Sequence, residues 1–121
     1  MKQLVITACL ALLVVGSATL SRAELKTVGT GADMGVDITS FPAPMKEIYP
    51  LFNKKCIKCH GMDRTYVTIQ SGMTPSGAVF DSAAVDAYGA KMLRKPDADM
   101  TKPEVKKFVE FMKFLLEEAA K

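Results

Sequence analysis

Cys56-Ile57-Lys58-Cys59-His60 is a C-x-x-C-H pentapeptide, and the rest of the chain reads as packing around it. Two thiols three positions apart on one helical turn can each add across one vinyl group of a porphyrin, and the adjacent imidazole then falls beneath the iron. Neutral imidazole is a good fifth ligand. The motif therefore predicts one covalently attached haem c, with Cys56 and Cys59 as the anchors and His60 as the proximal metal ligand.

Other uses of a C-x-x-C pair are poorly supported. A structural zinc site needs two more Cys or His ligands, and beyond residue 23 only His60 is left to add. A thioredoxin-like redox pair belongs near a βαβ pattern, which does not surround this motif. Cysteines three residues apart on a helix are also badly placed for disulfide geometry.

The start of the chain supplies a compartment. Met1-Lys2-Gln3 is positively charged, Leu4 to Val15 is apolar, and Ser21-Arg22-Ala23 offers a small-x-small cleavage site. This pattern predicts a secretory signal peptide over residues 1–23, cleaved after Ala23, and hence export to the periplasm without membrane insertion afterwards. The apolar run is short for a membrane span. Cys9 lies within that run and reads as a small apolar residue rather than a lipid site. Cleavage removes Lys2 and Arg22 and no acid, so 14 basic residues remain against 13 acidic ones and the net charge falls from +3 to +1. Such a balance implies no nucleic-acid partner. The remaining 98 residues make one small domain, a size that gains from a prosthetic group in its core.

Residues 24–44 contain Gly29, Gly31, Gly35, Pro42 and Pro44 with no sustained period, and read as an extended arm, either disordered or wrapped over the core. From residue 45 to 121 the pattern is that of a folded domain. Met45, Ile48, Tyr49, Phe52 and Cys56 recur at steps of three and four and draw one apolar stripe on a helix that delivers the motif. Pro50 within it predicts a first turn starting there or a kink. Tyr66 to Ile69 is a β-branched run too brief to imply a sheet, followed by a Gly- and Pro-bearing loop over 71–77. Asp81-Ser82 can cap a second helix running to about Arg94, with Val85, Tyr88, Gly89 and Met92 on one face and Lys95-Pro96 as its stop. Thr101 and Glu104 form a capping box for the last helix, with Pro103 in the first turn. Val105, Phe108, Val109, Met112, Leu115, Leu116 and Ala119 give its apolar stripe. The fold class is therefore all-α, with about three to four helices.

With His60 the one histidine, a sixth ligand from this chain is methionine or lysine, or the position is open. A thioether favours ferrous iron and raises the potential of an electron carrier. Met92, at the end of the second helix, is the leading candidate. Met100 is the alternative distal ligand, although its place before the Thr101 cap also suits it to staple onto Val105. Met73, in the Gly-bearing loop, is a third candidate.

These residues together resemble a small monohaem class I cytochrome c of the bacterial, exported kind. The resemblance rests on Cys56 to His60 after an aromatic-bearing helix, Lys91-Met92-Leu93-Arg94-Lys95-Pro96, Met100-Thr101 leading to Glu104, and Phe111-Met112. It covers roughly Met45 to Lys113. It implies a mostly helical cytochrome c-like fold around one haem, with the terminal helices crossed near one haem edge. It further implies Met92 as distal ligand and Phe111 in the aromatic slot of that crossing. There is no Trp in the last helix and no Met-Pro-Pro loop, which departs from many small relatives.

The function expected is periplasmic electron transfer by a ferric/ferrous haem, with no enzymatic chemistry: peroxide reduction would want a second haem or a polar distal base, and the sequence has neither. A haem sensor or gas-binding module with an open distal site is the alternative. Lys54, Lys55, Lys58, Lys91, Arg94 and Lys95 flank the two ligand regions, and would steer redox partner proteins with acidic surfaces.

Overall fold

The computed structural model describes residues 24–121, so the expected signal peptide and Cys9 lie outside the described residues. Four helices carry the domain: α1 (Ala43–Cys56), α2 (Met62–Ser71), α3 (Ser82–Leu93) and α4 (Lys102–Ala120). The all-α expectation holds for the bulk of the chain, with one small two-stranded sheet added by the arm. No described helix is long and apolar enough to cross a membrane.

The longest helix, α4, is the element against which the other three pack. Its start is the capping box read from sequence: the Thr101 hydroxyl accepts from the Glu104 amide at 3.3 Å, and the Glu104 carboxylate accepts from the Thr101 amide at 2.7 Å. The bond from the Thr101 amide first, and the Thr101 side chain second, hold the Glu104 carboxyl below its ordinary range. Val105, Phe108, Phe111, Met112, Leu115 and Ala119 are its buried face. Phe111 of α4 packs against α1. Its ring centroid lies 5.0 Å from that of Phe52, 6.1 Å from Tyr49 and 6.5 Å from Phe41. Edge-to-face pairs of this kind add to the gain from burying the rings.

Helix α1 begins at Ala43, two residues before the first member of the apolar stripe, and runs through Pro50, so its first turn does not wait for Pro50. Pro44 occupies the first turn, where its lack of a donor is harmless, while Pro50 removes one rung of the ladder. The stripe on α1 meeting α4 outweighs that loss.

Helix α2 stands where the sequence reading found only a brief β-branched run. Met62, Tyr66 and Ile69, at i, i+4 and i+7, are all buried and form its inner face. Gly72 ends it in the left-handed conformation (φ 68°), and its amide reaches back to the Thr68 carbonyl at 2.9 Å. The Tyr66 hydroxyl donates to Asn53 of α1 at 2.5 Å, fixing the two helices to each other. Burial pushes the Tyr66 hydroxyl pKa up, which keeps it a donor.

Of the two states open to residues 24–44, the structure shows the ordered wrap. Strands β1 (Thr27–Val28) and β2 (Gly35–Val36) pair antiparallel around a 3₁₀ turn at Gly31–Asp33. That turn and β2 rest on α2. Leu25, Val36 and Phe41 are buried anchors, and polar ties supplement them: Leu25 donates its amide to Gln70 at 2.6 Å, and Val36 donates its amide to the Tyr49 hydroxyl at 3.0 Å. These anchors stand too far apart in sequence to make a local period, which is why the hairpin went unread.

Helix α3 is capped by Asp81, whose carboxylate accepts from the Ala84 amide at 2.9 Å. It packs along α4 through Val85 and Gly89, and a Cβ on Gly89 would lie 2.5 Å from a Val109 methyl carbon. Glycine there allows the close approach. Lys113 and Asp86 close the outer edge of the pair at 2.8 Å.

Candidate functional site

At its end α1 turns into the pentapeptide: Ile57 donates its amide to the Asn53 carbonyl at 3.2 Å, and the Cys59 amide lies 3.4 Å from the Cys56 carbonyl. Cys56 is buried on the inner face and Cys59 is exposed; both are free thiols. Burial first, and the neighbouring Cys59 second, push the Cys56 thiol up to about 12. Cys56 is therefore held as the neutral thiol.

His60 follows the turn with its ring exposed. Its Nδ1 lies 3.1 Å from the Gly61 carbonyl, which can only accept, so Nδ1 is the donor there; the Thr65 hydroxyl lies 3.5 Å from the same nitrogen. In a neutral ring this arrangement puts the lone pair on Nε2. That division of the two nitrogens is the one found in metal-ligating histidines, where an outer partner fixes tautomer and ring orientation. The 3₁₀ turn of the arm backs this point: a Cβ on Gly61 would sit 3.0 Å from the Ala32 Cα.

Cys56, Cys59 and His60 open onto a cleft of about 410 Å³, within the size range of small-molecule and cofactor sites. Met92, from the end of α3, and Met100, from the segment before α4, line the same cleft. Phe52 and Met112 contribute apolar wall from α1 and α4, and Phe80 and Tyr88 close another side with rings 5.5 Å apart at 62°. Lys91 lies over the Tyr88 ring, 5.8 Å from its centroid. The structure thus gathers the three motif residues and two of the three candidate methionines. Met73 does not join them: it is half exposed and lines a shallower neighbouring groove with Val67 and Asp63.

Among the described residues no three His, Cys, Asp or Glu side chains group so as to hold a metal ion by themselves. The donor set of the cleft is one imidazole, two thiols and two thioethers in a largely apolar surround. This set fits a covalently anchored haem with His and Met axial ligands, since the macrocycle itself brings four nitrogens and needs only axial donors and apolar walls.

The basic residues flanking the motif are not all free. Asp99 accepts from Lys58 at 2.7 Å and from Lys55 at 3.2 Å, and Lys55 also stands 3.9 Å from Glu104. These bonds, led by that from Lys58, hold the Asp99 carboxyl below its ordinary range. Lys54, Lys91, Arg94 and Lys95 remain exposed.

The sequence reading missed Arg64, Thr65 and Thr68 of α2 and Phe80 as cleft residues. The spacing of Met62, Tyr66 and Ile69 is the signal that places α2, and with it the polar face that borders the cleft. Comparison with known proteins gives no match: no protein-family model, no characterised protein and no solved structure aligns significantly with this chain.

Proposed function

We propose that the protein is an exported, monohaem c electron carrier of the class I cytochrome c kind, working in the periplasm after removal of residues 1–23. The observation that carries this reading is the convergence of Cys56, Cys59 and His60 with Met92 and Met100 on one apolar cleft. Cys56 and Cys59 would hold the group through thioether bonds, each thiol adding its sulfur and its hydrogen across one vinyl double bond. His60 would bind iron through Nε2, with Nδ1 kept protonated by Gly61. Met92 would take the sixth position, and Met100 is the alternative. When bound, haem c supplies a reversible one-electron ferric/ferrous couple.

The chain's own residues then set how that couple behaves. A thioether favours the ferrous state, and the apolar walls from Phe52, Phe80 and Met112 would lower the polarity on their side of the bound group; both raise the potential. Lys54, Lys91, Arg94 and Lys95 leave a basic rim that suits an acidic redox partner. Lys55 and Lys58 add less to it, because Asp99 answers their charge. Electron transfer to an acidic partner should slow as ionic strength rises, and a flat profile would remove the steering role.

The optical spectrum of protein exported from a host with haem-attachment machinery tests the reading. The expected result is a covalent, low-spin c-type spectrum whose oxidised form carries the weak far-red band of methionine bound to ferric iron. A c-type spectrum lacking that band points to an open-site sensor, and no covalent haem at all overturns the proposal. His60→Ala should abolish the low-spin product.

A further inference from the structure

Two pieces of chain that both contribute residues to the cleft are tied to each other. One is the attachment turn, in which Lys55 immediately precedes Cys56 and Lys58 lies between the two cysteines. The other is the segment that leaves α3 after Leu93, one residue past Met92, passes a 3₁₀ turn at Pro96–Ala98 and reaches Met100. Asp99 joins them. Its backbone is left-handed (φ 49°, ψ 46°), a conformation that Asp and Asn tolerate better than other side chains but still adopt infrequently. Here it accompanies a double acceptor: Lys55 Nζ donates to the Asp99 backbone carbonyl at 2.5 Å and to its carboxylate at 3.2 Å, while Lys58 Nζ donates to the same carboxylate oxygen at 2.7 Å. The Lys55 side chain is only 15 % exposed, so its half of the tie is shielded from solvent more than a surface pair would be.

We propose that Asp99 is a positioning residue, whose tie to Lys55 and Lys58 holds the methionine-bearing segment against the attachment turn and so sets how readily the sixth ligand leaves iron. This rests on the electron-carrier reading above. Ala98 is buried beside it and Met92 and Met100 are half buried, so apolar contact holds the same segment from within. Asp99 adds the polar restraint on the outside, from the one residue of the segment whose main chain and side chain both reach the motif's lysines. Carrier and latch thus share one cleft, the latch governing opening of the distal side.

Imidazole entry to the ferric, haem-loaded protein reads this directly, because an external ligand binds only after the methionine has left. Asp99→Asn removes the charge and keeps a side chain suited to the left-handed backbone. It should speed imidazole entry roughly threefold to tenfold at low salt, the range expected of a small network of partly exposed pairs. Lys58→Gln should give a smaller acceleration. Added salt should speed entry in the wild type and leave Asp99→Asn unchanged, a response that a merely structural role would not produce. Equal rates in wild type and Asp99→Asn at low salt would overturn the latch while leaving the carrier reading intact. A wild-type chain without covalent haem sinks the carrier reading instead. In that case amide exchange over residues 95–101 of the unloaded chain decides the tie: faster exchange in Asp99→Asn supports it, and equal exchange overturns it.

Discussion

The two sides of α1 face different surroundings. Toward α4 it contributes to an aromatic seam in which Phe52, Phe108 and Phe111 are fully buried, with the Phe52 ring 5.6 Å from Phe108 and 5.0 Å from Phe111. At its carboxy end the same helix delivers Cys59 and His60, both exposed, to a cleft whose methionines are only half buried. The seam is complete with protein atoms alone. The cleft brings soft donors and apolar walls together around space that those side chains do not fill. Stability is therefore concentrated in the seam, and the proposed function in the cleft, so substitutions should separate the two.

The largest effect belongs to the seam. Phe111→Ala removes a fully buried ring in contact with Phe41, Tyr49 and Phe52, and should cost about 3–5 kcal/mol in denaturant unfolding, as large-to-small core changes do. If it instead altered axial ligation without lowering stability, the division between seam and cleft would fail. Gly89→Ala probes the second contact of α4. A methyl 2.5 Å from Val109 forces α3 away or Val109 out of its rotamer, for a loss of about 1–3 kcal/mol that a compensating Val109→Ala should largely restore.

Cleft variants should show the converse. Met92→Ala should lower the reduction potential and erase the far-red band, with a stability loss of about 1–2 kcal/mol, less than at a fully buried site. Met100→Ala should keep the band and mainly weaken the start of α4. A reversed pair of results would make Met100 the distal ligand. The smallest perturbation leaves packing alone. In the unloaded chain iodoacetamide should modify Cys59 well before Cys56, because Cys56 is buried and its thiol, pushed up to about 12, offers almost no thiolate at neutral pH. Simultaneous modification, followed by mass spectrometry, would show that the attachment turn opens freely.

Much of this architecture was legible because its signals are local. The Thr101–Glu104 box, the Asp81 cap and the stripes of α1 and α4 are each written within one or two helical turns, and each element forms where those residues place it. Helix α2 was legible in principle, through Met62, Tyr66 and Ile69, but its β-branched centre obscured the period. Pro50 drew attention to a break that tertiary packing overrides. The arm was not legible, since Leu25, Val36 and Phe41 gain their burial from α2 and the α1/α4 seam, and nothing nearby in sequence announces those partners.

The candidate site divides the same way. The C-x-x-C-H pentapeptide is readable from the chain alone, because five consecutive residues contain the whole pattern of thiols and imidazole on which the proposed function rests. Which methionines share the cleft with those residues depends on tertiary packing. Met92, Met100 and Met73 carry the same thioether, and bringing two to His60 while sending the third to a neighbouring groove depends on how α3 and α2 dock on α4. The pairing of Lys55 and Lys58 with Asp99, more than 40 residues away, is likewise a product of that docking. Opposite charges meet there because the folded backbone carries them together, and no spacing along the chain could have announced it.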